Sequence, residues 1–398
     1  MLDIIIALLL GILVGTITGL SPGIHINLIA VIVVSSIGLF PQTPSIVLAI
    51  FIVSMSITHT FLDFIPSIFL GAPEEDSFLS ILPGHRMLQE GKAYEAYVLT
   101  VYGSLTALSI IIILTPIYIA FLPSIFAIAK SAIPFILIFI SLYLIFREDN
   151  FTASLTIFIL AGFLGFLTFN LPVKEPLVPL LSGLFGISSL IISLKIKSKI
   201  PQQEIPPLRK IKLTKKEFFK SIGAILISSP FCAFLPGIGS GHAATIGSEI
   251  IPQNNRGFLF LVGATNTIIM GLSFVTLYAI NKTRSGSAAA TLEILKTITL
   301  QDLITILIAI TIVGIIASAL GIIISKICAK YISKINYALL TILTIATITL
   351  VNIFFSNILG IFILVISSSL GIFAISSNSR RINLMGALII PAIIYYIM

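Results

Sequence analysis

Long apolar stretches, separated by short polar segments, run along the whole chain. About 20 apolar residues in helical conformation cross the roughly 30 Å hydrocarbon core of a bilayer. Seven stretches precede a charged segment near residue 200, and seven follow it. The stretches lie at about 4–20, 24–40, 44–62, 97–119, 124–146, 151–169, 177–194, 220–235, 238–251, 257–280, 301–325, 335–355, 357–377 and 382–397. The pattern predicts an all-α integral membrane protein with about 12–14 transmembrane or re-entrant helices.

The composition excludes a water-soluble globule. Hydrophobic residues make up 57% of the 398 residues and charged residues only 10%, which leaves too few polar side chains for a soluble surface. The first apolar stretch has no basic residue ahead of it and no small-residue cleavage site behind it, so we expect a retained helix. We therefore expect a multi-pass protein of the cell membrane.

Basic residues crowd into the segment between the two sets of stretches. They are Lys195, Lys197, Lys199, Arg209, Lys210, Lys212, Lys215, Lys216 and Lys220. Lysine and arginine accumulate in cytoplasmic loops, and such a loop explains the cluster better than a nucleic-acid surface does. The segment is predicted to face the cytoplasm and to tolerate change, and no nucleic-acid partner is expected.

Two short motifs recur at almost the same displacement in the two sets of stretches. Pro22-Gly23-Ile24 returns as Pro236-Gly237-Ile238, and Thr58-His59-Thr60 returns as Thr265-Asn266-Thr267. The displacement is 214 residues for the first motif and 207 for the second. An odd number of crossings in each copy makes the second copy enter the membrane from the opposite side. The sequence therefore predicts an internal repeat in inverted orientation.

The predicted division is into residues 1–200, the first membrane repeat, and 220–398, the second and inverted one. Residues 201–219 form a basic cytoplasmic linker between them. The other basic loops fall on the same side of the membrane as this linker, in agreement with the positive-inside rule. Inverted repeats are typical of secondary transporters, whose substrate sites lie at the repeat interface near the bilayer midplane.

Each Pro-Gly motif precedes a stretch that is short for a membrane crossing, which predicts a half-helix or a re-entrant hairpin. The free N-terminus of such a helix binds anions, because unpaired N–H groups and the positive end of the helix dipole lie there. We expect the substrate to contact the motifs and the polar residues near them. These residues are Ser21, Gly23, His25, Asn27, Thr58, Thr60, Gly237, Gly239, Ser240, His242, Thr265, Asn266 and Thr267. A tight turn between two ordinary helices is the alternative interpretation of a lone Pro-Gly pair.

Three ionisable residues in predicted membrane segments are candidates for ion coupling. His59 and Asp63 are four residues apart and share a helical face. A carboxylate beside an imidazole is suited to carry a coupling proton. Glu249 shares a face with His242 and is a weaker counterpart in the second half. Each histidine has the alternative role of bridging two helices by hydrogen bonds.

A polar segment at 281–287 adds Arg284 and Ser285 to the candidate substrate-binding residues. A guanidinium forms bidentate pairs with carboxylates and phosphates. A solvated loop with ordinary basic residues is the alternative. The sequence predicts no cofactor and no metal, and the coupling ion is expected to be H⁺ or Na⁺.

Several motifs are similar to those of a known transporter family. They are Gly15-x-x-x-Gly19-Leu20-x-Pro22-Gly23, Gly71-Ala72-Pro73, Gly84-His85-Arg86-Met87, Gly91-Lys92-Ala93, Leu180-Leu181-Ser182-Gly183-Leu184-Phe185-Gly186 and Leu235-Pro236-Gly237-x-Gly239. In these motifs the chain resembles the large membrane subunit of the tripartite tricarboxylate transporter family. The resemblance implies a cation-coupled importer of carboxylates that works with a small membrane subunit and an extracytoplasmic binding protein.

The leading hypothesis is a secondary active transporter of an organic anion, with membrane lipid and a small anionic substrate as its partners. A translocase for an anionic lipid such as a polyprenyl phosphate is the alternative, because helix N-termini and Arg284 suit a phosphate equally. An enzyme is not expected. Ser240 and His242 are two residues apart and point away from each other on a helix, so they do not form a nucleophile and its base.

Overall fold

The protein is an all-α, multi-pass membrane protein. The computed structural model describes residues 2–21, 26–39, 41–71, 81–196, 200–235, 238–334 and 336–397. It is 84% helical, and the described residues contain no strand. Eight helical spans in this part of the chain are long and apolar enough to cross a membrane.

Seventeen α-helices lie within the described ranges. They are α1 (Leu2–Leu20), α2 (Ile26–Ser35), α3 (Ser45–Leu62), α4 (Phe64–Leu70), α5 (Ile81–Gln89), α6 (Ala93–Ala129), α7 (Ile133–Phe146), α8 (Phe151–Asn170), α9 (Leu177–Leu181), α10 (Ser188–Ile196), α11 (Lys215–Cys232), α12 (Ser240–Ile250), α13 (Asn255–Ile280), α14 (Gly286–Leu295), α15 (Leu300–Tyr331), α16 (Tyr337–Ser376) and α17 (Gly386–Ile397). A π-helical segment, Ser182–Ile187, joins α9 to α10.

Polar side chains set where several helices begin. Asn150, Asn254 and Ser285 each accept a backbone N–H from the first turn of α8, α13 and α14. Thr299 and Asp302 form a reciprocal capping box at the start of α15. These caps satisfy N–H groups that have no partner inside the helix. The apolar runs therefore become helices with defined starts.

The described helices that follow the two Pro-Gly motifs are both too short to cross the bilayer. α2 contains 10 residues and α12 contains 11, and 10 residues span about 15 Å, half the hydrocarbon core. The half-helices that the sequence predicts after each Pro-Gly motif stay a prediction. Residues 22–25, 236 and 237, which include the motifs themselves, lie outside the described residues.

The boundary predicted between 119 and 124 is wrong. α6 continues through Pro116 and Pro123 as far as Ala129, and the turn before α7 falls at 130–132. Proline is tolerated in membrane helices because neighbouring groups satisfy the freed backbone. The polar residues Lys130 and Ser131 end the helix instead.

The break predicted between the stretches 335–355 and 357–377 is a single residue, Asn357. α16 runs from Tyr337 to Ser376 and is interrupted only at Asn357, which has φ 59° and ψ −172°. The Asn357 Oδ1 accepts the N–H groups of Leu359 and Gly360 at 3.1 and 3.4 Å. Asn357 therefore caps the second part of α16 without a separate loop.

The basic linker packs against the membrane helices. The Gln203 side chain is only 6% exposed, donates to the carbonyl of Leu88 at 3.0 Å and accepts the N–H of Ala93 at 2.9 Å. The N–H of Glu204 donates to the carbonyl of Gly91 at 2.7 Å, and Ile211 is buried. The linker thus differs from the loose loop that its charge alone suggests.

The spans of α3–α4 and α13 form the centre of the molecule. They are 78% and 94% buried, compared with 33–56% for the other six spans. Gly15 lets α1 lie against α3, since a Cβ there would overlap the Met55 carbonyl, and Gly103 lets α6 lie against the Phe260 carbonyl of α13. Close backbone approach at small residues is the usual basis of helix packing in membranes.

Helices at corresponding positions of the two predicted repeats make reciprocal contacts. α6 and α15 begin 207 residues apart, at Ala93 and Leu300, which is the displacement of the Thr-x-Thr motifs. α6 packs against α13, and α15 packs against α3. The inverted orientation of the two halves stays a prediction.

Candidate functional site

A buried carboxylate lies between the two central helices. Asp63 occupies the junction of α3 and α4, where the backbone stays helical (φ −61°, ψ −20°), and its side chain is 1% exposed. Asn266 Nδ2, on α13, donates to Asp63 Oδ2 at 3.0 Å and lies 3.5 Å from the Thr60 carbonyl oxygen. We call Thr60, Asp63, Asn266 and Thr267 the carboxylate cluster. It joins the first half of the chain to the second.

The carboxylate cluster also contains a contact between equivalent threonines. The hydroxyls of Thr60 and Thr267 are 3.4 Å apart, and both residues are buried. The first residues of the two motifs do not take part in this contact. Thr265 donates to the carbonyl of Val262, while the buried Thr58 hydroxyl has no hydrogen-bond partner within the described ranges. The motifs therefore meet at their third residues, and Asn266, the second residue of the later motif, also reaches Thr60 and Asp63.

His59 contacts α1. Its Nδ1 lies 3.1 Å from the Thr18 hydroxyl, and the ring is 3% exposed. His59 and Asp63 share a helical stretch, but the Thr18 contact joins the histidine to α1 and the Asn266 contact joins the carboxylate to α13. The structure thus brings two of the three sequence-predicted coupling residues, His59 and Asp63, to the buried centre.

A second cluster surrounds the start of α12. Arg284 Nε donates to the Cys232 carbonyl at 3.1 Å, and Arg284 Nη2 donates to the Ile238 carbonyl. These carbonyls flank the second Pro-Gly motif, so Arg284 connects the end of α11 with the beginning of α12. Gly239 is extended and precedes the first helical residue, Ser240.

His242 adds a buried imidazole to this second cluster. The side chain is 1% exposed, and its Nδ1 has no hydrogen-bond partner in the part of the chain that the structure describes. Arg284 is near enough to act on His242 electrostatically. A helix N-terminus, a guanidinium and an imidazole together form an electropositive region that suits an anion.

Serines connect α14 to both central helices. Ser285 caps α14 and lies 3.0 Å from the Ser273 hydroxyl of α13, while Ser56 of α3 donates to the Ser287 hydroxyl at 2.6 Å. Ser273 follows Asn266 by seven residues, which corresponds to about 10 Å along the helix. The contact of α13 with Ser285 therefore lies about two turns from the carboxylate cluster.

Glu249 lies at the far end of α12, in an ion-pair network. Its carboxylate contacts Arg147 at 2.7 Å and Arg380 at 2.6 Å, and Arg380 also contacts Glu148 at 2.8 Å. Burial acts to raise the pKa of Glu249, but hydrogen bonds from Arg380 and Arg147 outweigh it and lower the pKa below the usual value. The network links the loops after α7 and α16. The coupling role of Glu249 stays a prediction.

Comparison with known proteins identifies the family. A model of the tripartite tricarboxylate transporter TctA family matches residues 5–386. The chain belongs to the TctA family. An uncharacterized protein of Methanocaldococcus jannaschii is 34% identical over 295 residues, which cover 71% of each chain. No solved structure matches. The resemblance predicted from the Pro-Gly and Gly-His-Arg-Met motifs is confirmed, and the family is one of transporters and not of enzymes.

Several predicted substrate residues of this TctA-family protein lie outside the described residues. They are Gly23, His25 and Gly237. Asn27 belongs to α2, of which only the backbone is described at that position. Ser21 follows α1, and its N–H donates to the Thr18 carbonyl at 3.2 Å.

Sequence reasoning missed five polar residues of the candidate site. They are Thr18, Ser56, Tyr97, Ser273 and Ser287. The fully buried Tyr97 donates to the Phe61 carbonyl at 3.0 Å, directly before the junction that holds Asp63. Serine and threonine are ordinary in membrane helices, where they often bond to a carbonyl of their own helix. No pattern therefore distinguishes the members that reach across to another helix.

Proposed function

We propose that this TctA-family protein is a secondary active transporter of an organic anion of the carboxylate class, coupled to H⁺ or Na⁺. The observation that carries the proposal is the hydrogen bond between Asp63 of α3 and Asn266 of α13, in the two most buried spans. The proposed substrate site lies where the two halves meet, near the middle of the membrane.

A carboxylate at this position has a functional explanation. Charged groups in membrane segments are costly and mark ion pathways and proton relays. The neutral Asn266 amide positions Asp63 without supplying a charge. We assign the coupling role to Asp63, with His59 as its titratable neighbour on the same helix.

The electropositive start of α12 supports an anionic substrate. The N–H groups of the first turn, the buried His242 and the nearby Arg284 favour a carboxylate by dipole, hydrogen bond and charge. Arg284 bonds to two backbone carbonyls, so we propose that it shapes the site as well as attracting the anion. The corresponding first-half motif is proposed to supply the other side.

The arrangement of the halves supports alternating access. Residues that are equivalent under a two-fold axis contact each other only close to that axis, and Thr60 and Thr267 are 3.4 Å apart. α6 packs against α13, and α15 packs against α3. The same two-fold axis would relate these two contacts. Two halves that exchange conformations around such an axis expose one site to each side in turn.

We also propose that partner subunits complete the transporter. The family is named for a tripartite system, and the resemblance implies a small membrane subunit and an extracytoplasmic binding protein. These partners would deliver the substrate to this chain, which forms the path across the membrane.

Uptake by reconstituted protein tests this function. The purified chain in proteoliposomes should accumulate at least one radiolabelled di- or tricarboxylate when a proton or sodium gradient is imposed, and an ionophore that collapses the gradient should abolish accumulation. Protein-free liposomes serve as the control. Movement of a labelled anionic lipid between leaflets, with no carboxylate uptake under either gradient, would favour a lipid translocase.

A further inference from the structure

A groove lies between the basic linker and the membrane helices, away from the two polar clusters. Its cavity has a volume of about 860 Å³. Tyr102, Leu105 and Thr106 of α6 form one wall, and Phe218 and Phe219 of α11 form another. The linker closes the end with Arg209 and Lys212, and Lys215 stands at the start of α11. We call this cavity the linker groove.

The walls of the linker groove are held in place by hydrogen bonds to the linker backbone. Tyr102, through its hydroxyl, donates to the Leu208 carbonyl at 3.2 Å. Arg256 of α13 donates to the Lys212 carbonyl at 2.8 Å. The basic side chains of this segment therefore project from an anchored backbone next to the helices.

The charged residues that line the linker groove are all basic. Arg209, Lys212 and Lys215 line it and are exposed, and no acidic residue is among the described residues that line it. Glu217, the nearest acidic residue along the chain, bonds to the Thr214 N–H and to Asn254. The three cations are thus available to an anionic headgroup.

The apolar walls continue into the outer surface of the helices. Phe219 is 68% exposed, and Leu226 and Ile227 are exposed further along α11. On α6, Ile112 and Ile113 are exposed about two turns beyond Leu105, on the same helical face. A molecule with its charge at the linker therefore has an apolar path toward the membrane interior.

We propose that the linker groove binds one anionic phospholipid of the leaflet that the linker faces. The phosphate lies among Arg209, Lys212 and Lys215, and the acyl chains lie against Phe218, Phe219 and the apolar face of α6. Basic residues at the membrane boundary attract anionic lipids in general, and the groove adds a fixed position for one molecule. This lipid is a bound component and not the transported substrate.

Native mass spectrometry of the detergent-purified full chain tests the proposal. The protein is titrated with phosphatidylglycerol and, separately, with phosphatidylcholine. The variant Arg209→Ala/Lys212→Ala/Lys215→Ala removes the groove cations. The matched control, Lys210→Ala/Lys216→Ala/Lys220→Ala, removes three exposed charges from the same segment that do not line the groove.

We expect the groove variant to bind phosphatidylglycerol at least about tenfold more weakly, and the control to change its affinity less than about threefold. Equal losses of phosphatidylglycerol affinity in both variants would show that the basic segment attracts the lipid diffusely and has no fixed site for it. An unchanged affinity in the groove variant would overturn the proposal. Inorganic phosphate should not displace the lipid at millimolar concentration. Complete displacement would assign the groove to a phosphate ligand without acyl chains.

Discussion

The equivalent positions 59 and 266 use their side chains differently. His59 lies 3.1 Å from Thr18 in its own half, whereas Asn266 crosses to the other half and donates to Asp63. An amide is neutral at every accessible pH, so it positions the carboxylate without competing for the coupling cation. This asymmetry supports the proposal that the coupling cation binds in the first half of the chain.

Replacing Asn266 with Leu removes the donor while keeping a side chain of similar size. Loss of a hydrogen bond to a buried polar group costs about 1–3 kcal/mol, so we expect a lower unfolding temperature and a loss of gradient-driven uptake. Thermal unfolding in detergent and uptake by proteoliposomes measure the two effects.

Asn352→Leu is the matched control for this variant. Asn352 is a buried asparagine of α16 whose amide donates to the Ile348 carbonyl at 2.8 Å, within the same helix. Its replacement should leave uptake near the wild-type rate. Wild-type uptake by Asn266→Leu would remove Asn266 from the proposed mechanism.

At the residue scale, the sequence predicted the members of the clusters that are rare in membrane segments. Asp63 and Asn266 stand out because charged and amide side chains are costly there. Arg284 was also distinguished, but its bonds to the Cys232 and Ile238 carbonyls depend on how the chain folds back after α13. Such a return is a tertiary property that no local pattern contains.

At the element scale, the basic linker illustrates the limit of charge patterns. Lysines and arginines indicate a side of the membrane but not whether the backbone is free or docked. The docking depends on single residues, chiefly the buried Gln203 and Ile211. These residues have no distinctive spacing, so the packed linker could not be predicted.

Gln203→Ala should destabilise the protein. The side chain bonds to Ala93, Leu88 and Pro201, and its loss leaves buried backbone groups unsatisfied, at a cost of about 1–3 kcal/mol. The neighbouring Gln202 is exposed, so the free energy of unfolding of Gln202→Ala should lie within about 0.5 kcal/mol of the wild-type value. Equal unfolding temperatures of the two variants would contradict the claim that Gln203 holds the linker against the helices.

Helix boundaries follow caps more closely than prolines. α6 passes through Pro116 and Pro123, whereas α16 is interrupted at Asn357, which supplies its own cap. In a membrane, neighbouring groups compensate for the N–H that proline lacks. The apolar pattern therefore predicted that helices exist here and placed the break of α16 next to Asn357, but it misplaced the end of α6.

At the scale of the whole molecule, the repeated motifs gave the most information. The two Thr-x-Thr motifs are displaced by 207 residues, and the starts of α6 and α15 are separated by the same number. Thr60 and Thr267, which have this displacement as well, have their hydroxyls 3.4 Å apart. The sequence could not reveal which helices would pack together. That arrangement depends on small residues such as Gly103, whose neighbours are known only from the fold.

Gradient-driven accumulation by Asp63→Asn tests the central claim most directly. The amide keeps the shape of the side chain and removes its charge, so the variant should no longer use a proton or sodium gradient to concentrate a carboxylate. It should still exchange labelled for unlabelled substrate across the membrane when no gradient is imposed, because the proposed anion site is intact. Wild-type accumulation by Asp63→Asn under the same gradient would contradict the account.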